Sequence, residues 1–443
     1  MIRRSIFILA HELGDYNFYP AYKRLMCSQW NTRVEQEQEQ EKQLRVMIRY
    51  AYENVPYYRS LFKENNIKAE SIRKIEDLEK IPTLTKQIIL ERQQEFIPAG
   101  LKDLKYYNRS TGGSTGLPLH YRLSKFDRFL SGAMLYRGWG YAGYNLGDRM
   151  VDFGGSSLDI GKKSIAVQKA HEFARNLKAI SSFDMETEAL DRAVKKINNF
   201  KPNLIRGYAS SIYFFSKYVE ENGLRIYNPK AVVTTAEKLF PSMREKISDV
   251  FGCEIFDEYG MNDGGISAHE CEEHVGLHID TERSIMEVVD ENNAQIQDGS
   301  GRIVSTSLHN YAMPFIRYET MDGGTITSDI CSCGRQAPLL KEILGRQQEI
   351  LKTPEGKYIH GAFFGHVFWQ TSHVKEFQVI QETEDRITIK LVVDEFFSES
   401  ELDMIRNHIL SRSKRWTVNV QFVDQIDRTS GGKYKYVINR LEG

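Results

Sequence analysis

From residue 101 to residue 340, short apolar or β-branched runs alternate with helical patterns. This rhythm constrains the fold more than any other feature of the chain. Residues 149–153, 231–235 and 254–256 have strand composition, and segments 186–199, 209–221 and 240–250 have helical spacing. Such alternation predicts an α/β fold with a partly parallel sheet. The last hundred residues differ. Segments 377–381, 386–393 and 416–423 read as strands, and 399–412 reads as a helix with an acidic first turn. That pattern predicts a small α+β domain. The expected organisation is a large lobe over 1–345 and a small domain over 346–443, joined near Gly345 and Arg346.

Composition removes several alternatives. Lys plus Arg is 59 and Asp plus Glu is 60, so the net charge is -1 and offers no electrostatic footprint for nucleic acid. No run approaches the roughly 18 apolar residues of a membrane helix. The apolar stretch at 5–10 stops at His11 and Glu12, too short for a signal core, and reads as a buried strand or helix turn. We therefore expect a cytoplasmic protein without membrane insertion, and a homodimer is left open. Upstream, Leu44, Ile48, Ala51 and Val55 recur at helical spacing before a stop at Pro56. Alternating Glu and Gln over 35–41 reads as a solvated helix face. Thr85 is the expected N-cap of a helix over 86–94.

The sharpest local segment is Ser110-Thr111-Gly112-Gly113-Ser114-Thr115-Gly116-Leu117-Pro118. Its glycines permit tight turns, its hydroxyls can donate to phosphate oxygens, and successive amides can form an anion cradle. A flexible Ser/Gly loop is the plainer reading. The segment has neither the lysine of GxxxxGK[ST] nor a GxGxxG spacing, so it is not an ordinary P-loop or dinucleotide fingerprint.

The segment resembles the phosphate loop of acyl-adenylate-forming enzymes. The chain as a whole resembles their phenylacetate–CoA ligase-like branch, which includes the capsular polysaccharide biosynthesis ligases. The stretch Tyr50-Ala51-Tyr52-Glu53-Asn54-Val55-Pro56-Tyr57-Tyr58-Arg59 also fits that branch, and further motifs follow in family order. The resemblance implies a large adenylate-forming lobe followed by a small mobile domain. Ser110 to Gly116 become phosphate-binding. Ala236-Glu237 falls beside nucleotide and acyl group, giving Glu237 a catalytic place, although it could equally cap the next helix. Asp257-Glu258-Tyr259-Gly260-Met261-Asn262-Asp263 matches the Tyr-Gly motif. Tyr259 is then set against adenine, and Asp263 stands in for the usual acidic magnesium ligand. Met321-Asp322 stands where the family has Gly-Asp, with Asp322 on the ribose hydroxyls. Arg346 matches the interdomain residue that meets the nucleotide. In Arg428-Thr429-Ser430-Gly431-Gly432-Lys433-Tyr434-Lys435, Lys433 matches the adenylation lysine, with Lys435 the neighbouring alternative. The segments containing Gly154 and Arg206-Gly207-Tyr208 fall at the acyl pocket.

The implied reaction is ATP-dependent activation of a carboxylate to acyl-AMP with Mg²⁺, then transfer to CoA. An amine or hydroxyl of a sugar or carrier is a second acceptor class. A non-catalytic nucleotide-binding scaffold is a third reading.

Five cysteines make a disulfide framework unlikely at this length, yet Cys271, Cys331 and Cys333 cluster. Thiolates and imidazole suit a closed tetrahedral zinc site. His278 completes it by family match, with His274 and His269 as alternatives. Buried free thiols with solvated histidines are the simpler reading, and a redox pair fits the spacing less well. The expected zinc is structural and braces strands around the ribose-binding segment.

Overall fold

The computed structural model describes residues 2–14, 17–110, 119–154, 165–182, 187–346, 350–355, 358–360, 363–364, 367–368, 371, 373–428 and 434–441. A hairpin of β1 (Tyr106–Ser110) and β2 (His120–Ser124) precedes the main sheet. That sheet comprises β3 (Met150–Gly154), β4 (Leu177–Ser181), β5 (Leu204–Tyr208), β6 (Ala231–Thr235), β7 (Glu254–Gly260), β8 (Ser267–Glu270), β9 (Leu277–Ile279), β10 (Ser284–Val289), β11 (Gly299–Ser307), β12 (Tyr318–Thr327) and β13 (Leu339–Arg346). Its order is β10-β11-β12-β13-β9-β8-β7-β6-β5-β3-β4. Strands β3 to β7 pair in parallel, and every pairing from β7 through β10 is antiparallel.

Side-chain alternation explains why the parallel half is covered on both faces. Val232 and Ile255 join the core under helices Thr187–Phe200, Ala209–Glu221 and Pro241–Phe251. Their chain neighbours Ala231, Val233 and Phe256 enter the opposite core with Tyr136 and Trp139 of helix Lys125–Tyr141. Gly207 is required in β5, because a Cβ there would lie 2.5 Å from that of Phe153.

Beyond the main sheet lie a hairpin, β14 (Ile350–Lys352) with β15 (Tyr358–His360), and a second sheet. The latter holds β16 (Val374–Thr383), β17 (Arg386–Val393), β18 (Thr417–Phe422) and β19 (Val437–Asn439), in the order β18-β17-β16-β19. Helix Glu399–Leu410 starts with a Ser398/Glu401 capping box and buries Leu402, Ile405 and Ile409. Phe377, Val379, Ile387 and Ile389 share one apolar cluster with the helices over β5 to β7. The α/β reading and the α+β character of the last hundred residues are therefore both present.

Three local readings change. Residues 5–10 lie inside helix Ile2–Gly14. Pro56 ends helix Arg33–Asn54 but also opens helix Pro56–Glu64, where its missing N–H costs nothing. The Glu/Gln stretch is only partly solvated. Gln36 and Gln40 are buried, and the Gln40 amide donates to the Ser284 carbonyl at 2.8 Å. Thr85 does cap the next helix, which ends at Glu91 and passes into a 3₁₀ turn, Gln93–Phe96. Among the described residues no helix is long and apolar enough to cross a membrane.

Candidate active site and metal centre

The C-terminal ends of parallel strands expose backbone groups and loops at one edge, where α/β sheets bind ligands. Tyr259 lies near the end of β7, and its hydroxyl donates to Asp322 Oδ2 at 2.8 Å. Asp322 in turn faces Arg346 across the β12–β13 ladder. Tyr259, 63 positions before Asp322 in sequence, thus meets its carboxylate, and Arg346, 24 positions after, is its backbone partner in the ladder. Tyr318 at the start of β12 donates to Asp263 Oδ2 at 3.2 Å. Asp263 offers the hard oxygen donor that magnesium requires.

Met321 has φ 66°, the left-handed region that glycine adopts readily. The Gly-to-Met departure therefore leaves this backbone turn in place, at the expense of a strained residue. Met321→Gly should leave thermal stability unchanged or raised. Met321→Val should cost about 1–3 kcal/mol, because a branched side chain fits positive φ poorly. Equal melting temperatures for the two variants would contradict this account.

Glu237 follows a second left-handed turn, Ala236 at φ 65°. It does not cap the next helix. Its Oε2 accepts from the Ser210 amide at 2.9 Å, at the start of helix Ala209–Glu221, which has no side-chain cap of its own. Its Oε1 accepts from the Tyr434 amide at 3.1 Å. The Tyr434 hydroxyl bonds the backbone of Phe377, accepting from its amide at 2.8 Å and donating to its carbonyl. Arg428 stacks on Tyr434 and Phe214 at 4.3 and 5.6 Å and pairs with Glu376 at 2.7 Å. Sequence reasoning missed this arrangement, for which adjacency to Lys433 was the only signal. Ser110 closes β1. Thr111 to Gly116, Gly155, Ser156 and Lys433 lie outside the described residues, as does the Arg346 side chain.

Behind Tyr259 lies a buried ionic group. Arg206 Nε donates to Glu258 Oε1 at 3.0 Å, and Arg206 reaches Asp152 Oδ1 at 3.5 Å. Trp139 Nε1 donates to the other Glu258 oxygen at 2.8 Å. Burial pushes Glu258 up, but Arg206 and His269 more than offset it and hold the carboxyl below its usual range. Burial dominates at Asp152 and raises it. On the other face of β7, burial pushes Asp257 up to about 7, against a hydrogen bond from Thr234 at 2.8 Å. The folded protein thus holds a proton on Asp257 that the unfolded chain loses near pH 4. Its contribution to stability is full below that value and is lost as pH rises toward 7. Calorimetric melting at pH 5 and pH 8 should show a smaller fall for Asp257→Asn than for the unaltered chain. An equal fall in both would contradict the assignment.

The structure gathers Cys271, His278, Cys331 and Cys333, with all four ligand atoms within 4.8 Å of one another. Cys271 Sγ and Cys331 Sγ are 3.6 Å apart, and Cys333 Sγ is 3.4 Å from His278 Nε2. Metal–sulfur bonds of about 2.3 Å give tetrahedral edges of about 3.8 Å, so the donor set fits zinc in chemistry and spacing. His274 and His269 are directed elsewhere. His274 Nδ1 lies 3.2 Å from Glu270, and His269 Nδ1 lies 3.3 Å from Asp280. Burial and then Arg335 lower His278 to about 4, which keeps its imidazole neutral as a metal ligand must be. Burial raises the Cys271 thiol, whereas Cys333, despite burial, is drawn down by the backbone and side chain of Arg335. The Arg335 guanidinium lies 4.8 Å from the Trp30 ring and 4.1 Å from that of Tyr141. The cluster joins the β8–β9 turn to the β12–β13 connection.

Known proteins resemble this chain in sequence and in fold. Residues 351–440 match the family model of the CapK C-terminal domain. The chain is 24% identical over 405 residues to protein CapK of Staphylococcus aureus, covering 89% of this chain and 87% of that protein. It is 27% identical over 323 residues to phenylacetate–coenzyme A ligase of Thermus thermophilus, covering 70% of each. In structure it resembles 2-hydroxyisobutyryl-CoA ligase in complex with R3-HIB-AMP. The TM-score is 0.74 at 20% identity, over 93% of this chain and 91% of that one.

Proposed function

We propose that this chain is a phenylacetate–CoA ligase-like member of the adenylate-forming enzymes and converts a carboxylic acid to acyl-AMP and then to a CoA thioester. The carrying observation is the Tyr259–Asp322 bond, with Arg346 the backbone partner of Asp322, which brings three separate motifs together. In this reading Asp322 accepts from the ribose hydroxyls, Tyr259 packs on adenine, and Arg346 meets the nucleotide. Ser110 to Gly116 hold the phosphates.

A carboxylate oxygen attacks the α-phosphorus, and the bond to the bridging β-phosphate oxygen breaks to release pyrophosphate. Lys433 lies across the two anions as charge moves onto the phosphate oxygens. Magnesium at Asp263 supplies charge neutralisation on the triphosphate when bound. A CoA sulfur then attacks the acyl carbon, and AMP leaves. The small domain spans 346–443 and carries Lys433 to the large lobe and away again. The match at 351–440 supports that division. Cys271, His278, Cys331 and Cys333 would hold a structural zinc.

Phenylacetate, 2-hydroxyisobutyrate and anthranilate form a first panel, taken from acids named for related ligases. With ATP, Mg²⁺ and CoA, mass spectrometry should find the CoA thioester of at least one acid. Acyl-adenylate without thioester would move the acceptor to an amine or hydroxyl. Neither product from a broadened panel would favour a nucleotide-binding scaffold.

A further inference from the structure

Resting on the ligase reading and its magnesium at Asp263, we infer that Tyr318 is a positioning residue whose hydroxyl sets the Asp263 carboxylate for the metal. That hydroxyl donates to Asp263 Oδ2 at 3.2 Å. The donor is itself held in place. Tyr318 is buried, and its ring packs on that of Phe315 with centroids 5.0 Å apart. Leu84 clasps the backbone on either side of it. The Leu84 amide donates to the Arg317 carbonyl at 2.8 Å, and the Leu84 carbonyl accepts from the Glu319 amide at 2.9 Å.

The acceptor is held as firmly. Asp263 lies in the turn between β7 and β8, which the Met261 amide closes by donating to the Ile266 carbonyl at 3.0 Å. Gly265 takes φ 74° within that turn. Ser305 of β11 donates its hydroxyl to the Gly264 carbonyl. A Cβ on Gly264 would lie 2.8 Å from the Met261 sulfur, so the turn is tight as well as bonded. Tyr318 and Asp322 share the buried face of β12. Each bonds the Tyr-Gly motif, Tyr318 through Asp263 and Asp322 through Tyr259. One strand therefore sets both the metal carboxylate and the ribose carboxylate.

Magnesium demands near-octahedral geometry at short oxygen distances. A carboxylate that turns freely about its last torsion presents an oxygen correctly only part of the time. A donor fixed on Oδ2 holds that torsion, and such partners of a ligand govern metal affinity. Tyr318 acts through Asp263 and touches no reacting atom. Its loss should therefore weaken metal binding and spare the chemical step.

The test uses the full-length chain, Tyr318→Phe, Asp263→Asn and the double variant. Manganese(II), which shares magnesium's preference for oxygen donors, is titrated with ATP and no acid, and metal held in the protein complex is read by water-proton relaxation. Tyr318→Phe keeps the ring against Phe315, and it should weaken manganese binding about tenfold and leave ATP binding in EDTA unchanged. In Asp263→Asn, where binding is already weaker, Tyr318→Phe should add less than about twofold. With an acid that the chain activates, the magnesium needed for half-maximal pyrophosphate exchange should rise about tenfold, and the rate at saturating magnesium should stay within about twofold. Unchanged manganese affinity in Tyr318→Phe, or the same loss in the Asp263→Asn background, would overturn the inference. So would an unaltered chain that binds no manganese with ATP, or Asp263→Asn binding it as tightly as the unaltered chain. An equal loss of ATP affinity in EDTA would mark a merely structural role and overturn it too. If the unaltered chain binds manganese with ATP yet activates no acid, the ligase reading fails, and the titration still decides the role of Tyr318.

Discussion

Replacing Lys433 with alanine should lower ATP–pyrophosphate exchange by about 100- to 1000-fold and leave thioester formation from supplied acyl-adenylate largely intact. The magnitude is that of removing one preorganised charged donor from a developing anion. The asymmetry matters more than the size. In the proposed mechanism Lys433 acts where carboxylate and α-phosphate meet, and both groups are already joined in the adenylate. The residue after it, Tyr434, donates its amide to Glu237. Undiminished exchange in Lys433→Ala would remove the lysine from the chemistry and shift attention to Lys435. Equal loss of both half-reactions would point to damaged folding.

Serine at Cys331 should abolish stoichiometric zinc binding and lower the melting temperature by roughly 4 °C. A bound metal present at a thousandfold excess over its Kd stabilises the folded chain by about 4 kcal/mol, and a protein of this size loses about one degree per kcal/mol. Cys331 is buried, lies 3.6 Å from Cys271, and sits in the connection between β12 and β13. Losing it should loosen the Trp30–Arg335 contact, which tryptophan fluorescence can follow. Exchange per folded molecule at low temperature should survive, because the cluster is separate from the Tyr259–Asp322 edge. Protein purified without chelator that carries no zinc, and melts like Cys331→Ser, would refute the metal assignment. A melting temperature governed by reductant would instead revive the thiol-pair reading.

The parallel half of the sheet was legible because its strands are apolar on both faces and its helices have clear periodicity. Val232 with Val233, and Ile255 with Phe256, leave little choice but a doubly covered sheet. The antiparallel half was much less so. Strands such as β10 carry buried Ser284 and Glu287, the latter paired with Arg317, so they lack a simple apolar signal. Gln36 and Gln40 misled for the same reason, since their partners lie more than 240 residues away.

At the site, residue types were readable one motif at a time, but their junctions were not. Tyr259 and Asp322 each had a sequence context, whereas the bond between them depends on the β7 and β12 ends converging. Glu237 was visible as a carboxylate after a strand. Its grip on Tyr434 and Ser210 depends on Ala236 turning the chain at positive φ, which composition cannot reveal. Choosing His278 over His274 and His269 likewise rested on family match. The β8–β9 register shows why the alternatives are elsewhere: His269 and His278 face each other in the ladder, but His269 is occupied near Asp280.

The most direct test of adenylation follows oxygen. A panel acid labelled with ¹⁸O in its carboxylate is incubated with the full chain, ATP, Mg²⁺ and CoA, and the nucleotide products are weighed by mass spectrometry. Attack at the α-phosphorus followed by thiolysis at the acyl carbon should leave one ¹⁸O in AMP and release unlabelled pyrophosphate. Unlabelled AMP formed with the thioester, or ADP with labelled inorganic phosphate, would contradict the acyl-adenylate route.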